Sequence, residues 1–168
     1  MVSIRKAAEE NEVKFKMYTV GFQFDIYKHI TGIKPILQDY SWWFELVRKI
    51  GHQADIFEIR CWSDESEAIA TGRQFGMQLE NIETTELVFQ GPISEEFLEY
   101  ICENGFDENG GLKWFTIIFY QGEQPLFHSE HYGTEPYVFL KTKKEAHKLE
   151  QWSKQYSIIN RVDLHEEL

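Results

Sequence analysis

The chain has 168 residues, of which 42% are hydrophobic and 15% aromatic, and a formal net charge of −11. The apolar content excludes general disorder, and no apolar run reaches the roughly 20 residues of a membrane-spanning helix. The N-terminus lacks the apolar run of a signal peptide, so we expect a cytoplasmic protein. In that compartment Cys61 and Cys102 are most simply buried thiols.

The first half of the chain predicts a tail, a strand and a helix. Residues 1–14 are charged and lack periodicity, which predicts a charged N-terminal tail. Apolar and polar residues then alternate over 17–26, a pattern typical of a strand with one face in the core. Turn-forming residues occupy 31–35, and apolar residues at helical spacing predict a helix from about Tyr40 to Ile50.

Three later segments share one plan, in which a strand leads through a tight connection and a polar cap into an amphipathic helix. The predicted strands lie over 55–62, 86–90 and 137–140, and the helices that follow end near Phe75, Asn104 and Tyr156. The third helix has the clearest start, because Thr142 and Glu145 have the spacing of a capping box.

Between the second and third of these units, residues 112–120 and 125–130 are rich in β-formers and predict a hairpin. Residues 157–163 predict a final strand. From residue 86 onward the element order is therefore β-α-β-β, a short extra strand, and α-β, which resembles a ferredoxin-like unit.

These elements predict an α+β fold with a largely antiparallel sheet and amphipathic helices on one face. Its C-terminal half is expected to be ferredoxin-like in element order. We expect residues 15–168 to form a single domain. The alternative is that this domain consists of two sub-units, 15–84 and 85–168.

The negative charge is concentrated in one stretch. Residues 58–108 contain thirteen Asp and Glu against two Arg, while the flanking regions are nearly neutral. Because phosphate binding depends on Lys and Arg, we expect neither nucleic acid nor a membrane as partner. Such a stretch would instead steer a basic protein toward the chain. The alternative is a solvated surface that serves only solubility.

Within this stretch, three glutamates recur at four-residue spacing. Glu95, Glu99 and Glu103 are therefore expected in one row on the outer side of a helix. Asp107 and Glu108 follow that helix and are expected to extend the row. We predict these five carboxylates to be partner-binding residues.

The pair Trp42-Trp43 is a further candidate for partner binding. Helical neighbours point about 100° apart, so only one of the two is expected squarely in the core. Trp43 shares a stripe with Val47, which places Trp42 at the edge. There it is either an exposed interface anchor or packs beneath the loop around Pro35.

Two histidines and a glutamate are candidate metal ligands. His128, Glu130 and His131 are the ligand types of a facial-triad iron or a catalytic zinc. On a strand, however, His128 and Glu130 share one face and His131 falls on the other. The alternative is a hairpin with exposed polar side chains, and we expect neither a metal nor another cofactor.

The chain has no phosphate-binding loop, dinucleotide fingerprint or nucleophile elbow, which argues against an enzyme. The leading hypothesis is a cytosolic protein-binding module with an acidic face for a basic partner. In its most specific form it is an inhibitor or immunity-type protein that neutralises a toxin, such as a nuclease with a basic active site. The alternatives are a small-ligand-sensing regulatory domain and, after it, a metal-dependent enzyme.

Overall fold

The computed structural model describes residues 16–25, 27–31, 34–80 and 83–167, so the predicted tail over 1–14 lies outside the described residues. The strands are β1 (Met17–Gln23), β2 (Tyr27–Thr31), β3 (Lys34–Leu37), β4 (Ile56–Cys61), β5 (Met77–Leu79), β6 (Leu87–Pro92), β7 (Thr116–Gln121), β8 (Gln124–Glu130), β9 (Glu135–Leu140) and β10 (Arg161–Glu167). The helices are α1 (Ser41–Gly51), α2 (Ser66–Phe75), α3 (Glu95–Glu103) and α4 (Lys143–Ser153).

Eight strands form one sheet in the order β10-β1-β9-β8-β7-β4-β6-β5, and all its neighbours pair antiparallel. The predicted mixed fold with an antiparallel sheet is confirmed. The finer, ferredoxin-like order is not confirmed. In the sheet β1 lies between β9 and β10, and β4 lies between β6 and β7, so strands of the first half separate those of the second.

The centre of the sheet is held by a row of buried side chains. Val20 pairs with Val138, which pairs with Phe127, and the row continues through Phe119 to Phe57. Directly opposed residues of antiparallel strands point to the same side of a sheet. All five side chains are at most 2% exposed. We call this side the core face.

Each helix has a described contact with a residue of the sheet, whereas the predicted placement of the helices on one face is not confirmed. The contacts are Trp42 of α1 on Phe22, Gly72 of α2 on Phe89, Phe97 of α3 on Phe57, and Trp152 of α4 on Phe22. Gly72 allows the closest of these approaches, since a Cβ built there would lie 2.4 Å from the Phe89 ring. In each of these contacts the strand residue is a phenylalanine, so aromatic side chains take part in the packing of all four helices.

Two predicted strands begin later than the sequence pattern indicates. The strand predicted over 112–120 starts at Thr116, because Leu112 instead bridges Phe106 and closes a loop. The strand predicted over 157–163 occupies Arg161–Glu167, after a turn in which the Ile159 N–H donates to the Tyr156 carbonyl. Among the described residues, no helix has the length and apolarity needed to cross a membrane.

Candidate protein-binding surface

The three glutamates at four-residue spacing lie on the exposed side of α3. Glu95, Glu99 and Glu103 are all exposed, whereas the other side of the helix buries Phe97 and Ile101 completely. The helix begins where the Ser94 Oγ accepts a 3.1 Å hydrogen bond from the Phe97 N–H. The row is thus presented by a capped helix with a fully buried underside.

Helix α3 packs on α1, with the two helices running in opposite directions. The Glu95 carboxylate lies 3.5 Å from His52 Nδ1 beyond the last residue of α1, and Leu98 packs against Gly51. At the other end of α3, Gly105 approaches the ring of Phe44 in the first turn of α1. The loop over 105–111 therefore follows the glutamate row directly and begins beside the first turn of α1.

An exposed aromatic side chain, Phe106, stands in that loop. Its ring is 44% exposed and makes edge contacts with Tyr40 at 5.6 Å and with Phe44 at 5.3 Å between ring centroids. Phe106 was not among the predicted site residues, although it is the only large apolar residue among the turn formers of 105–111. The presence of an aromatic side chain within a turn is the sequence signal that could have identified Phe106 as a candidate site residue.

Asp107 holds the loop in shape, and its role in binding a partner stays a prediction. Its carboxylate accepts hydrogen bonds from the N–H groups of Asn109 and Gly111 at 2.9 and 3.1 Å, and from Lys34 Nζ at 2.5 Å. Burial favours a higher pKa for Asp107, but Lys34 and the backbone donors outweigh it and lower the pKa. The neighbouring Glu108 is exposed.

The fold brings the start of α2 next to this loop. Glu67, Phe106 and Glu108 line one cavity of about 430 Å³ together with Lys113, whose Nζ donates to Glu67 Oε1 at 3.1 Å. Residues separated by some forty positions in sequence therefore meet on one surface. We define the acidic surface by six residues: Glu67, Glu95, Glu99, Glu103, Phe106 and Glu108.

A strained turn over residues 131 and 132 contacts the residue just before α2. His131 and Tyr132 adopt positive φ angles of 46° and 58°, a conformation that costs about 1–3 kcal/mol for each residue. The Tyr132 hydroxyl donates to Glu65 Oε1 at 2.8 Å, and Lys34 Nζ lies 4.3 Å from the centre of the ring. Burial and the Glu65 carboxylate raise the pKa of Tyr132, which keeps this hydroxyl a hydrogen-bond donor.

The weak metal candidates are divided between two places. His128 Nδ1 lies 3.3 Å from Glu130 Oε1, and this contact lowers the pKa of Glu130. His131 Nδ1 instead pairs with Glu135 at 2.9 Å, and its ring packs on Phe115. Across the described ranges, no group of three or more His, Cys, Asp or Glu side chains is arranged to hold a metal ion.

Trp42 is not an exposed anchor, which corrects its assignment as a partner-binding residue. Both Trp42 and Trp43 are fully buried. Trp42 packs on Phe24 at 4.9 Å and donates from Nε1 to the Asp39 carbonyl, while Trp43 Nε1 donates to Ser129 Oγ at 2.7 Å. The two indoles thus point to different parts of the core, where each finds an acceptor.

Both thiols are in the core as well. Cys61 and Cys102 are buried, and burial raises the pKa of each, to about 12 for Cys61. A thiol with such a pKa is protonated at neutral pH and is a poor nucleophile.

Comparison of the chain with protein-family models, with curated proteins and with solved structures gives no match. Function is therefore inferred from geometry and charge. The acidic surface offers one apolar ring within a field of carboxylates, an arrangement suited to binding and without a nucleophile of its own.

Proposed function

We propose that this protein is a non-enzymatic protein-binding module whose acidic surface engages a basic protein. The observation that carries the proposal is Phe106, which is 44% exposed and lines a cavity with Glu67 of α2 and Glu108 of its own loop. Aromatic side chains at the centre of an interface supply much of its binding energy. Surrounding charges set the association rate and the choice of partner.

The position of the α3 glutamates supports a basic partner. Side chains four residues apart on a helix are neighbours, so Glu99 is repelled by both Glu95 and Glu103. Glu103 also lies in the last turn of α3, where the helix dipole favours cations and where no basic residue is present. Lysine or arginine side chains of a partner would relieve both unfavourable interactions.

The cations nearest the loop act within the fold. Lys34 pairs with Asp107, and Lys113 pairs with Glu67. Both lysines lie outside residues 58–108. Lys34 binds the loop, and Lys113 binds the first turn of α2. The glutamate row and Glu108 are exposed.

In its most specific form, the proposal is an immunity-type inhibitor of a toxin with a basic cleft. A row of carboxylates can occupy the Lys and Arg side chains with which a nuclease binds phosphates. Long-range attraction would give rapid capture, which an inhibitor needs, and its rate would fall as salt screens the charges.

The test combines affinity capture with kinetics on matched variants. The protein is used as bait in extracts of its native cells at low and moderate salt, and the captured protein is purified for association measurements. Glu99→Lys with Glu103→Lys should slow association and reduce its salt dependence. Glu123→Lys with Glu167→Lys changes the net charge equally at exposed positions outside the acidic surface, and it should retain most of the rate.

A second variant tests the aromatic anchor. Phe106→Ala should leave association nearly unchanged and raise the dissociation rate about tenfold, as truncation of an interface hot spot does. The proposal fails if no basic protein is captured at either salt concentration. It also fails if the captured protein binds the Glu99 and Glu103 double variant at the wild-type rate, because the acidic surface would then be only solvated.

A further inference from the structure

A cleft opens on the core face, and its lining residues are different from those of the acidic surface. Helix α4 packs on β1 and β9 whereas α1 packs on α3, and between α1 and α4 a cleft of about 300 Å³ is left above β8 and β9. Its walls are mostly apolar and include Leu46, Ile50, Leu126, Val138 and Leu149. Ligand pockets in proteins begin at about this volume, so the cleft suits a small molecule and not a polypeptide.

A polar contact fixes the spacing of the two helices beside the cleft. Glu45 of α1 accepts a 2.6 Å hydrogen bond from Trp152 Nε1 and a second from the Tyr156 hydroxyl. Trp152 lies on α4 and Tyr156 just beyond it, so this carboxylate ties α1 to the end of α4. The cleft is therefore part of the folded arrangement and not a gap between loosely placed helices.

Two lysines, Lys49 and Lys148, line the cleft from opposite helices. Within the part of the chain that the structure describes, neither ammonium group forms an ion pair or donates a hydrogen bond. Glu45 feels the charge of Lys49, but its oxygens accept from Trp152 and Tyr156. Glu145 also lines the cleft.

The Glu145 carboxylate caps the start of α4. It accepts hydrogen bonds from the N–H and the hydroxyl of Thr142, at 3.0 and 2.8 Å, in the capping box of α4. The capping box thus holds the one carboxylate of the lining in place. Two of the lining side chains carry an ammonium group, and the carboxylates of Glu145 and of Glu45 beside the cleft already accept hydrogen bonds within the fold, so both ammonium groups remain available to an anion.

We propose that this cleft binds a small amphipathic carboxylate, with its aliphatic chain against the apolar walls and its carboxylate between Lys49 and Lys148. Burial of the chain supplies a non-directional gain, and the charge-assisted hydrogen bonds of the ammonium groups select an anionic head group. A cation of the same shape would be repelled. An uncharged analogue would gain only the apolar contribution. This site does not depend on the protein partner proposed above.

The probe is octanoate, compared with octan-1-ol and octylammonium at concentrations below micelle formation. Binding is followed by calorimetry and by the methyl NMR signals of Leu46, Leu126 and Leu149. We expect saturable shifts of these methyl groups with octanoate, an affinity for octan-1-ol about tenfold weaker, and no saturable binding of octylammonium. Absence of saturable shifts, or equal affinity for octanoate and the alcohol, overturns the proposal.

Matched variants separate the cleft from the general charge of the protein. Lys49→Gln with Lys148→Gln should weaken octanoate binding about tenfold and leave the alcohol unaffected. Lys143→Gln with Lys144→Gln removes the same charge from exposed positions on α4 outside the cleft, and it should bind octanoate like the wild type. Equal weakening in both pairs would show a non-specific charge effect and overturn the proposal.

A third variant blocks the cleft. Leu126 is only half-buried, and Leu126→Trp should fill the cleft and abolish saturable octanoate binding. Undiminished binding by the folded variant would place octanoate elsewhere and contradict the assignment. If this variant does not fold, the two lysine pairs still decide between the outcomes.

Discussion

Helices α3 and α4 are both capped at their first turn, yet the fold holds them by different means. Helix α3 buries Phe97, Leu98, Ile101 and Cys102, whereas α4 buries only Ala146, Leu149 and Ser153. The outer side of α3 carries acidic side chains, and the described polar contacts of α4 include a capping box and the bond from Trp152 to Glu45. Buried apolar side chains hold α3 in place, whereas hydrogen bonds at its two ends contribute much of what holds α4.

The difference indicates what the charged residues of each helix do. On α3 the buried side chains provide the main contacts with the rest of the fold, so we expect its glutamates to contribute little to stability. On α4, Thr142 and Glu145 determine where the helix begins, and Glu45 determines how its end meets α1. Substitution of a charged or polar residue should therefore change stability on α4 more than on α3.

The largest expected effect is the loss of an aromatic ring from α3. Phe97 is fully buried and stacks on Phe57 with 4.0 Å between ring centroids. Phe97→Ala should lower the free energy of unfolding by about 3–5 kcal/mol, measured by urea denaturation. Leu149→Ala on α4 is the matched comparison. A larger loss there than at Phe97 would reverse the contrast between the two helices.

A smaller effect is expected at the start of α4. The Thr142 hydroxyl accepts from the Glu145 N–H at 3.2 Å, and the Glu145 side chain accepts from the Thr142 N–H. Thr142→Ala removes the first of these bonds and should lower the free energy of unfolding by about 1 kcal/mol. Thr142→Ser retains the hydroxyl and is the control. An unchanged midpoint for Thr142→Ala would show that the cap does not stabilise the helix.

This capping box is also where sequence and structure agree most closely, because all its determinants lie within four residues. The alternation over 17–26 likewise predicts a strand, although β1 ends at Gln23 and is buried on both faces from Thr19 to Phe22. The order of the sheet was not predictable in this way. It depends on pairings such as Val20 with Val138, whose residues are far apart in the chain.

The same distinction applies to the two sites. The glutamate row follows from four-residue spacing, so the sequence predicts it. Phe106 meets Glu67 only because the loop over 105–111 folds against α2, and the cleft exists only because α1 and α4 come to lie on either side of it. Trp42 was misplaced for a related reason. The edge of an isolated helix becomes core when β1 supplies Phe22 and the segment after it supplies Phe24.

A modest effect that depends on pH is expected at Glu45. Hydrogen bonds from Tyr156 and Trp152 lower the pKa of Glu45 from its ordinary value of 4.5. A lowered folded-state pKa contributes stability above pH 4.5 that is lost as the pH falls through the folded value. Because Glu45 is exposed, Glu45→Gln should cost only about 0.5–1 kcal/mol at pH 7.

Urea denaturation of the wild type and Glu45→Gln at pH 7 and at several values below pH 4.5 measures this dependence. The difference in free energy of unfolding between the two proteins should shrink on acidification, as protonation removes the charged acceptor from the wild type. A difference that stays constant with pH would assign the effect to packing and not to the charge of Glu45.

The smallest expected effect belongs to the α3 glutamates, and it decides whether the contrast with α4 holds. In the variant Glu99→Lys with Glu103→Lys, the first substitution creates an attractive pair with Glu95, and the second places a cation at the negative end of the helix dipole. Repulsion persists between the two introduced ammonium groups, and each of these contributions is about a few tenths of a kcal/mol. We expect the free energy of unfolding to change by less than about 0.5 kcal/mol, with a small gain at low salt that disappears as salt screens the charges. A loss well above that value in denaturation measurements would mean that the glutamates stabilise α3, and the charges of α3 would then belong to the fold as those of α4 do.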